Sequence, residues 1–248
     1  MNYNLNKIKI ISLAIKSKEI KPYLQPIVDF NNKIKGFEAL SRWVNNEHEV
    51  LLPYAFIEDI KADHQLLDEW TISIIEQLIC FLMPRKMKLI DLHLNIYSST
   101  LNTTLIERII CLNKYVNVVI EIIEDDIIYN EDEFIRNLDI LSKYGVKLAI
   151  DDFGCGFNNE SRLYKYKFDF IKIDRSLTSL IDVDIEKYKL IKRIKKLSDE
   201  MGTTIIAEGV ETIEQEKLLK GLDIKRYQGF LYYKALPLEI ITELQWSG

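Results

Sequence analysis

Cysteines are scarce in this sequence, as are several other features that mark common protein classes. Only three occur in 248 residues, Cys80, Cys111 and Cys155, and they lie far apart. Since their number is odd and their spacing is not that of metal ligands, they predict neither a disulfide framework nor a cysteine-bound metal. A reducing, cytoplasmic setting is the simplest expectation for such a chain.

Long apolar runs and an excess of basic residues are also missing. The apolar stretch near the N-terminus is interrupted or flanked by Lys7, Lys9, Lys16 and Lys18, and no other segment is long enough to cross a bilayer, so we expect no membrane span. The net charge of -5 is a poor electrostatic footprint for long nucleic acid, so we expect no such binding. Nine glycines and five prolines argue against long disordered linkers.

Short apolar runs alternate with stretches of helical periodicity along most of the chain. The predicted strands are residues 23–28, 34–40, 89–96, 116–123, 147–151, 168–173, 203–207 and 226–229. The link between the first two strands is too short for a helical crossover, so these two run antiparallel. Helical patterns separate nearly all later strands, which makes those strands parallel to one another.

This order of elements predicts an α/β fold, a modified TIM (β/α)8 barrel with an antiparallel first strand. An open doubly wound sheet is the alternative, but no glycine-rich nucleotide loop follows an early strand. Hydrophobic residues make up 48% of the chain, enough for a sizeable core. We expect residues 1–20 to form a helix that covers one end of the domain and residues 21–248 to form the single barrel.

Polar side chains stand at the carboxyl end of seven successive strands. They are Glu38, Asn95, Glu121, Asp151 with Asp152, Lys172 with Asp174, Glu208 and Gln228. In a parallel barrel these ends share one face, where active sites are built. Several carboxylates on one rim repel each other unless cations lie among them, and all-oxygen ligands suit Mg²⁺ or Mn²⁺. Taken alone, the Asp151-Asp152 pair with Gly154 is equally typical of a glycine-containing turn.

These residue types favour a metal-dependent phosphoester hydrolase. Two ions bridged by Asp151 would activate a water and stabilise the leaving oxygen. Lys172 would add positive charge near the phosphate, and Glu208 could take the proton of the water. His93 precedes Asn95 by two residues and should point the same way, but it falls outside this set. Enolate chemistry with one Mg²⁺ and a lysine base fits some of the same residues and stays open.

Eight short motifs then occur in a recognisable order. They are LQPIVDF at Leu24, GFEALSRW at Gly36, LNI at Leu94, VIEIIED at Val119, LAIDDFGCGF at Leu148, FDFIKIDRSL at Phe168, TIIAEGVET at Thr204 and YQGFLYYKALP at Tyr227. Through these motifs the sequence resembles the EAL-domain cyclic di-GMP phosphodiesterases of bacteria, from about Ile11 to Pro237. Each motif is weak alone, but their common order and register make the resemblance specific.

The resemblance implies hydrolysis of cyclic di-GMP to linear pGpG with two Mg²⁺ or Mn²⁺ ions, and it implies a homodimer. The positions that match metal ligands of the family are Glu38, Asn95, Glu121, Asp151 and Asp152. Those that match catalytic positions are Lys172, Asp174 and the general base Glu208. Those that match substrate contacts are Gln25, Leu40, Arg42 and Gln228, and those that match supporting glutamates are Glu124 and Glu211.

Two departures from the family pattern keep a second hypothesis open. After Gly154 the family usually has small residues that help to order the aspartates, whereas this chain has Phe157-Asn158-Asn159-Glu160. Tyr97 stands where the family usually has serine. The alternative is therefore a catalytically weak EAL-type module that binds cyclic di-GMP or a protein partner without turnover.

Overall fold

The computed structural model describes residues 2–45, 47–85, 87–122, 128, 130–154 and 159–244, with the side chains of 2–5 and 159–161 left out. Its strands are β1 (Ile20–Asp29), β2 (Ile34–Val44), β3 (Val50–Leu51), β4 (Met87–Ile96), β5 (Val116–Ile122), β6 (Lys147–Phe153), β7 (Phe170–Ile173), β8 (Thr204–Ala207), β9 (Arg226–Tyr227) and β10 (Leu236–Pro237). Its helices are α1 (Asn2–Lys16), α2 (Ile57–Lys61), α3 (His64–Leu82), α4 (Thr103–Leu112), α5 (Glu131–Lys143), α6 (Asn159–Lys165), α7 (Arg175–Thr178), α8 (Ile185–Met201), α9 (Ile213–Gly221) and α10 (Leu238–Ile241).

Eight of these strands close into a barrel. They follow the order β1, β2, β4, β5, β6, β7, β8, β9 and return to β1. Neighbours from β2 to β9 run parallel, whereas β1 is antiparallel to both β2 and β9. This closed sheet confirms the predicted barrel with its antiparallel first strand and excludes the open sheet. Strands β3 and β10 are short additions that pair with β2 and β1.

The outer helices begin and end at residues suited to those positions. The side chain of Asp63 accepts a hydrogen bond from Leu66 N at the start of α3. Thr212 and Gln215 form a capping box at the start of α9. Helix α8 ends at Gly202, whose φ of 70° is a conformation that glycine adopts without strain. These local signals place the helices between the strands and so keep the later strands parallel.

Apolar residues fill the barrel at mid-height. Ile27, Val119, Ala149, Phe170 and Ile206 form this interior cluster, one residue from each of five strands. Side chains alternate along a strand, so the next inward-facing position lies two residues further on. Those positions are Glu121 after Val119, Asp151 after Ala149, Lys172 after Phe170 and Glu208 after Ile206. The apolar cluster therefore forms the floor on which the polar strand ends stand.

A second charged group lies below this floor, two residues earlier on the strands. Asp91 Oδ1 lies 2.9 Å from Lys147 Nζ, and Asp91 Oδ2 lies 2.8 Å from Arg226 Nη1. Both cations also lie over the ring of Phe170, with Nζ and Cζ 5.4 Å and 5.3 Å from its centroid. We call Asp91, Lys147 and Arg226 the lower cluster.

Helix α1 (Asn2–Lys16) packs onto the hydrophobic core. Ile11, Ala14 and Ile15 are buried in the main hydrophobic core together with residues of the barrel strands. The helix contacts α2 and α3 rather than standing apart. Among the described helices, none combines the length and the apolar character needed to cross a membrane.

Candidate active site

Lys172 lies at the centre of the polar strand ends. Its side chain is 1% exposed, and its ammonium group is surrounded by carboxylates. The distances from Nζ are 2.7 Å to Glu208 Oε1, 2.9 Å to Glu121 Oε1, 2.9 Å to Asp151 Oδ1 and 3.6 Å to Glu38 Oε1. Four carboxylates therefore share one ammonium group, and the carboxyl group of Asp152 lies near Asp151. We call Glu38, Glu121, Asp151, Asp152, Lys172 and Glu208 the upper cluster.

The excess of negative charge changes how these groups hold protons. Burial raises the pKa of Glu208 to about 8; Lys172 opposes this shift, while Asp151 and Glu38 add to it. Burial likewise raises the pKa of Glu121 well above its ordinary value. Burial alone would lower the pKa of Lys172, but the surrounding carboxylates outweigh it and hold that pKa well above its ordinary value. Lys172 therefore stays charged at neutral pH. Its single positive charge is outnumbered by the carboxyl groups around it.

Asp152 occupies the exposed side of the same group. Its φ of 54° lies in the left-handed region, which residues other than glycine rarely adopt. Burial of its carboxyl and the nearby charges of Asp151 and Asp174 raise its pKa to about 7. The Asp174 side chain also accepts a hydrogen bond from Ser176 N at the start of α7, which fixes Asp174 in place. Strained backbone of this kind is common at functional sites.

Amide side chains hold Glu38 from both sides. Asn95 Nδ2 donates to Glu38 Oε1 at 2.9 Å, and Gln228 Nε2 donates to Glu38 Oε2 at 2.6 Å. Gln228 Nε2 also lies 3.2 Å from Gln25 Oε1, and Gln25 in turn donates to the carbonyl of Tyr233. Gln228 is 4% exposed, so its side chain contacts Glu38 rather than solvent. Since the Asn95 nitrogen donates to Glu38, its carbonyl oxygen is the atom of this amide that could bind a cation.

His93 supports Glu121 from below. Its Nδ1 lies 2.8 Å from Glu121 Oε1, and both side chains are 0% exposed. Burial lowers the pKa of His93 well below its ordinary value, and Lys172, Arg226 and Lys147 add to that shift. The ring is therefore neutral at physiological pH. The sequence offered a signal for this contact, because His93 lies two residues before Asn95 on the same side of a strand.

The upper cluster fits divalent cations. Carboxylate oxygens of Asp151, Asp152 and Glu208 all lie within 4.8 Å of one another. Glu121 Oε2 and Asp151 Oδ1 are buried and accept no hydrogen bond from the residues that the structure describes, although Asp151 Oδ1 forms an ion pair with Lys172. Unpaired buried carboxylate oxygens are costly unless a cation binds them. Hard oxygen donors of this type suit Mg²⁺ or Mn²⁺.

An open cleft lies above the cluster. Its lining residues include Gln25, Glu38, Leu40, Asp151, Asp152, Lys172, Glu208, Glu211 and Gln228. Sequence reasoning missed two others, Arg175 and Phe230. Arg175 Nη2 pairs with Glu211 Oε1 at 2.8 Å, and its stem lies so close to Gly209 that a Cβ there would be 2.2 Å from Arg175 Cγ. Gly209, with φ of 62°, therefore leaves room for Arg175 beside Glu208.

The remaining predicted residues lie elsewhere or outside the described residues. Arg42 is not part of the described lining; its Nη1 donates to Ser41 O, and its Cζ lies 6.0 Å from the centre of the Tyr23 ring. Asn95 lines a neighbouring apolar pocket with Leu40 and Trp70. Glu124, Phe157 and Asn158 lie outside the described residues, as do the side chains of Asn159 and Glu160.

Fold and site together define a carboxylate-rich barrel whose site stands at the carboxyl ends of the parallel strands. The sequence model of the EAL domain family matches residues 8–235. This match covers most of the 248 residues, and the protein belongs to the EAL domain family. The resemblance found in the sequence motifs is thereby confirmed.

Individual relatives agree with this assignment. The chain is 30% identical over 240 residues to the probable cyclic di-GMP phosphodiesterase PdeG of Escherichia coli (strain K12). The alignment covers 92% of this chain and 47% of that protein. It is 31% identical over 238 residues to the cyclic di-GMP phosphodiesterase PdeL of the same strain, covering 92% and 65%. The chain thus spans between about half and two thirds of the length of these relatives.

A solved structure of similar size supports the fold along nearly the whole chain. The crystal structure of an EAL domain protein from Listeria monocytogenes EGD-e superimposes with a TM-score of 0.82 at 28% sequence identity. The superposition covers 94% of this chain and 95% of that one.

Proposed function

We propose that this protein hydrolyses cyclic di-GMP to linear pGpG and that the reaction requires Mg²⁺ or Mn²⁺. The observation that carries the proposal is the upper cluster, in which four carboxylates surround one buried lysine, Asp152 lies beside them, and Glu121 Oε2 is buried without a hydrogen-bond partner among the described residues. Family membership and relatives named as cyclic di-GMP phosphodiesterases support the choice of substrate. The same findings favour phosphoester hydrolysis over enolate chemistry.

The ligands proposed for two divalent ions are Glu38, Asn95, Glu121, Asp151 and Asp152. When bound, such ions would supply Lewis acidity, which lowers the pKa of a water and offsets charge on the phosphate. The amide contacts of Asn95 and Gln228 hold the Glu38 carboxylate in one orientation before any ion arrives. The number of ions and their identity as Mg²⁺ or Mn²⁺ are proposals that follow from the family resemblance.

Glu208 is proposed as the base that takes a proton from the attacking water. Burial raises its pKa, so the carboxylate is a stronger proton acceptor than an exposed one, once enough positive charge is present to ionise it. The hydroxyl of Thr178 donates to the Glu208 backbone carbonyl, which fixes the start of this loop. In the reaction the water oxygen bonds to phosphorus, the P–O3′ bond breaks, and the leaving 3′ oxygen takes up a proton from solvent, so the products are a 3′-hydroxyl and a 5′-phosphate.

Cationic side chains are proposed to offset the charge of the substrate. Lys172 remains an ammonium ion at the floor of the cleft, and Arg175 stands at its wall. Asp174 is proposed to act beside Lys172, and Gln25, Leu40 and Gln228 to line the bound nucleotide. Arg42 would reach a phosphate only by leaving Tyr23, and Glu124 and Glu211 are proposed as supports of the surrounding loops.

Incubation with cyclic di-GMP tests the proposal. Purified protein is mixed with the substrate and Mg²⁺ or Mn²⁺, and the linear product is followed by chromatography, with Glu38→Ala as the control. We expect pGpG from the wild-type protein, no product with a chelator, and none from Glu38→Ala. Absence of product at high protein concentration, with a folded protein, would contradict the proposal.

The alternative is a module that binds cyclic di-GMP or a protein partner without turnover. Its support is the divergent segment Phe157-Asn158-Asn159-Glu160, which begins five residues after Asp152. Retained binding without product in the same experiment would favour it. A homodimer, suggested by the family resemblance, and a cytoplasmic setting, suggested by the cysteine pattern, stay predictions.

A further inference from the structure

His93 is a polar residue at the same level of the barrel as the apolar floor. It lies on β4 and is 0% exposed, inside the barrel. Its ring meets the ring of Phe170 edge to face, with 5.2 Å between centroids and 61° between planes. Its Nε2 is buried and has no hydrogen-bond partner among the described residues. Burying an imidazole nitrogen without a hydrogen-bond partner costs free energy. We therefore expect the contact made by the other ring nitrogen, Nδ1, to have a function.

That other contact is with Glu121, and it treats the two carboxylate oxygens differently. Glu121 Oε1 lies 2.8 Å from His93 Nδ1 and 2.9 Å from Lys172 Nζ. Glu121 Oε2 is buried and accepts no hydrogen bond within the described part of the chain. Oε1 thus has two partners, whereas Oε2 has no hydrogen-bond donor among the described residues. A carboxylate that binds a cation is ionised and can only accept, so in that state Nδ1 is the ring nitrogen that carries the proton.

Lys172 alone would not fix this arrangement. Its ammonium group is shared among four carboxylates at 2.7 to 3.6 Å, and three rotatable donors can follow any of them. The His93 ring, in contrast, is planar and held against Phe170, and Glu121 Oε1 is the carboxylate oxygen that its Nδ1 meets. The directional contact on Glu121 therefore comes from His93.

We propose that His93 is a positioning residue, whose Nδ1–H holds Glu121 Oε1 so that Oε2 faces a divalent cation. This inference rests on the proposed function, because it assigns Glu121 as a ligand of that cation. Partners of this kind, which touch the ligand and not the ion, are often as important for affinity as the ligands themselves. The competing explanation is that His93 only fills space in the barrel.

Two substitutions separate the donor from the filled volume. His93→Asn keeps an N–H donor near the position of Nδ1 but leaves a cavity where the rest of the ring was. His93→Leu fills most of that space but has no donor. A packing role predicts that His93→Leu is the milder change, whereas a positioning role predicts the opposite. Ile27→Ala, on β1 in the same interior cluster, is the control for lost packing without contact to Glu121.

Binding of Mn²⁺ to the full chain without substrate, measured by isothermal titration calorimetry, tests the proposal, and melting curves check folding. We expect His93→Leu to bind Mn²⁺ about 10- to 100-fold more weakly than wild type. His93→Asn should stay within a fewfold of wild type, and Ile27→Ala should melt earlier but bind normally. If His93→Leu fails to fold, His93→Val, which suits a strand, takes its place.

The outcomes distinguish this inference from the proposed function. Wild-type affinity in His93→Leu or His93→Val, or equal loss in His93→Asn and Ile27→Ala, would overturn the positioning role while leaving the metal site intact. No Mn²⁺ binding by the wild-type protein would contradict the proposed metal site itself, and the positioning role with it.

Discussion

The barrel interior holds two groups of charged side chains, one on each side of the apolar floor. In the lower cluster a single carboxylate, Asp91, meets two cations, and each of its oxygens has its own partner. In the upper cluster four carboxylates share Lys172, a fifth lies near Asp151, and Glu121 Oε2 is buried without a hydrogen bond from the described residues. The lower cluster is complete as it stands, whereas the upper cluster requires further positive charge.

This contrast shows how one barrel can combine stability with chemistry. A buried charge costs free energy unless it is paired, and the lower cluster meets that requirement with atoms of the chain itself. The upper cluster does not, which is why we propose that it binds cations. An Asp→Asn substitution in the upper cluster should therefore lower activity and preserve stability. The same substitution in the lower cluster should lower stability and preserve activity.

The largest effect is expected from Asp151→Asn in the upper cluster. It removes one negative charge and weakens a ligand proposed to bridge two ions, so turnover should fall by about 10³-fold or more. Thermal stability without metal should hold or rise, because one repelling charge is gone. Product formation and melting curves measure the two effects. Retained turnover in Asp151→Asn would show that the upper cluster is not the reactive centre.

Asp91→Asn makes the matched change in the lower cluster. Lys147 and Arg226 lose their shared carboxylate, and the loss should cost about 2–3 kcal/mol of unfolding free energy, because both cations keep some access to water. Turnover per folded molecule should stay within a fewfold of wild type. Urea denaturation measures the stability change. A severe loss of turnover with unchanged stability would reverse the roles assigned to the two clusters.

Metal binding by the upper cluster should depend on pH. Asp152 and Glu208 have folded-state pKa values of about 7 and about 8, above the value of about 4 in an unfolded chain. Between these values the folded protein holds protons that the unfolded chain releases, so these groups make the metal-free protein less stable as pH rises. Cations displace those protons, so binding tightens over the same window.

We therefore expect Mg²⁺ affinity to rise at least about tenfold between about pH 6 and about pH 8. Calorimetric titrations at several pH values measure this change. Asp91→Asn should show the same trend, since it leaves the upper cluster untouched, and Glu208→Gln should show a smaller one. An affinity that is constant with pH in the wild-type protein would contradict the assigned shifts.

The smallest effect is expected from Arg175→Ala at the wall of the cleft. Its side chain is 61% exposed and already pairs with Glu211, so its contact with a phosphate would be partly screened. We expect KM to rise by about 3- to 10-fold with kcat little changed. Steady-state kinetics separate the two constants. A fall in kcat alone would place Arg175 closer to the reacting atoms than the structure does.

Features carried by single segments were predictable from the sequence. Strand alternation places Glu121, Asp151 and Lys172 on one side of their strands, and their position after apolar runs places them at one end of the barrel. Features carried by pairs of distant segments were not. Arg226 pairs with Asp91 across 135 positions of the chain, and that contact depends on the register of strands that no local pattern specifies.

The length of the first two strands illustrates the same limit. They were predicted as residues 23–28 and 34–40 but extend over Ile20–Asp29 and Ile34–Val44. Polar Ser41 and Arg42 look like the end of a strand, yet they pair with Pro22 and Lys21 in the antiparallel ladder. Arg42 is thereby held beside Tyr23 rather than at the cleft, an arrangement that the sequence alone could not reveal.

The central claim is that the upper cluster cleaves one phosphodiester of cyclic di-GMP when divalent cations complete it. Phosphorus NMR of cyclic di-GMP with the protein and Mg²⁺ tests this claim directly, because a phosphodiester and a phosphomonoester give separate signals. We predict one new phosphomonoester signal for each substrate molecule consumed, absent with a chelator and absent in Asp151→Asn. An unchanged substrate spectrum with folded wild-type protein and saturating Mg²⁺ would contradict the claim.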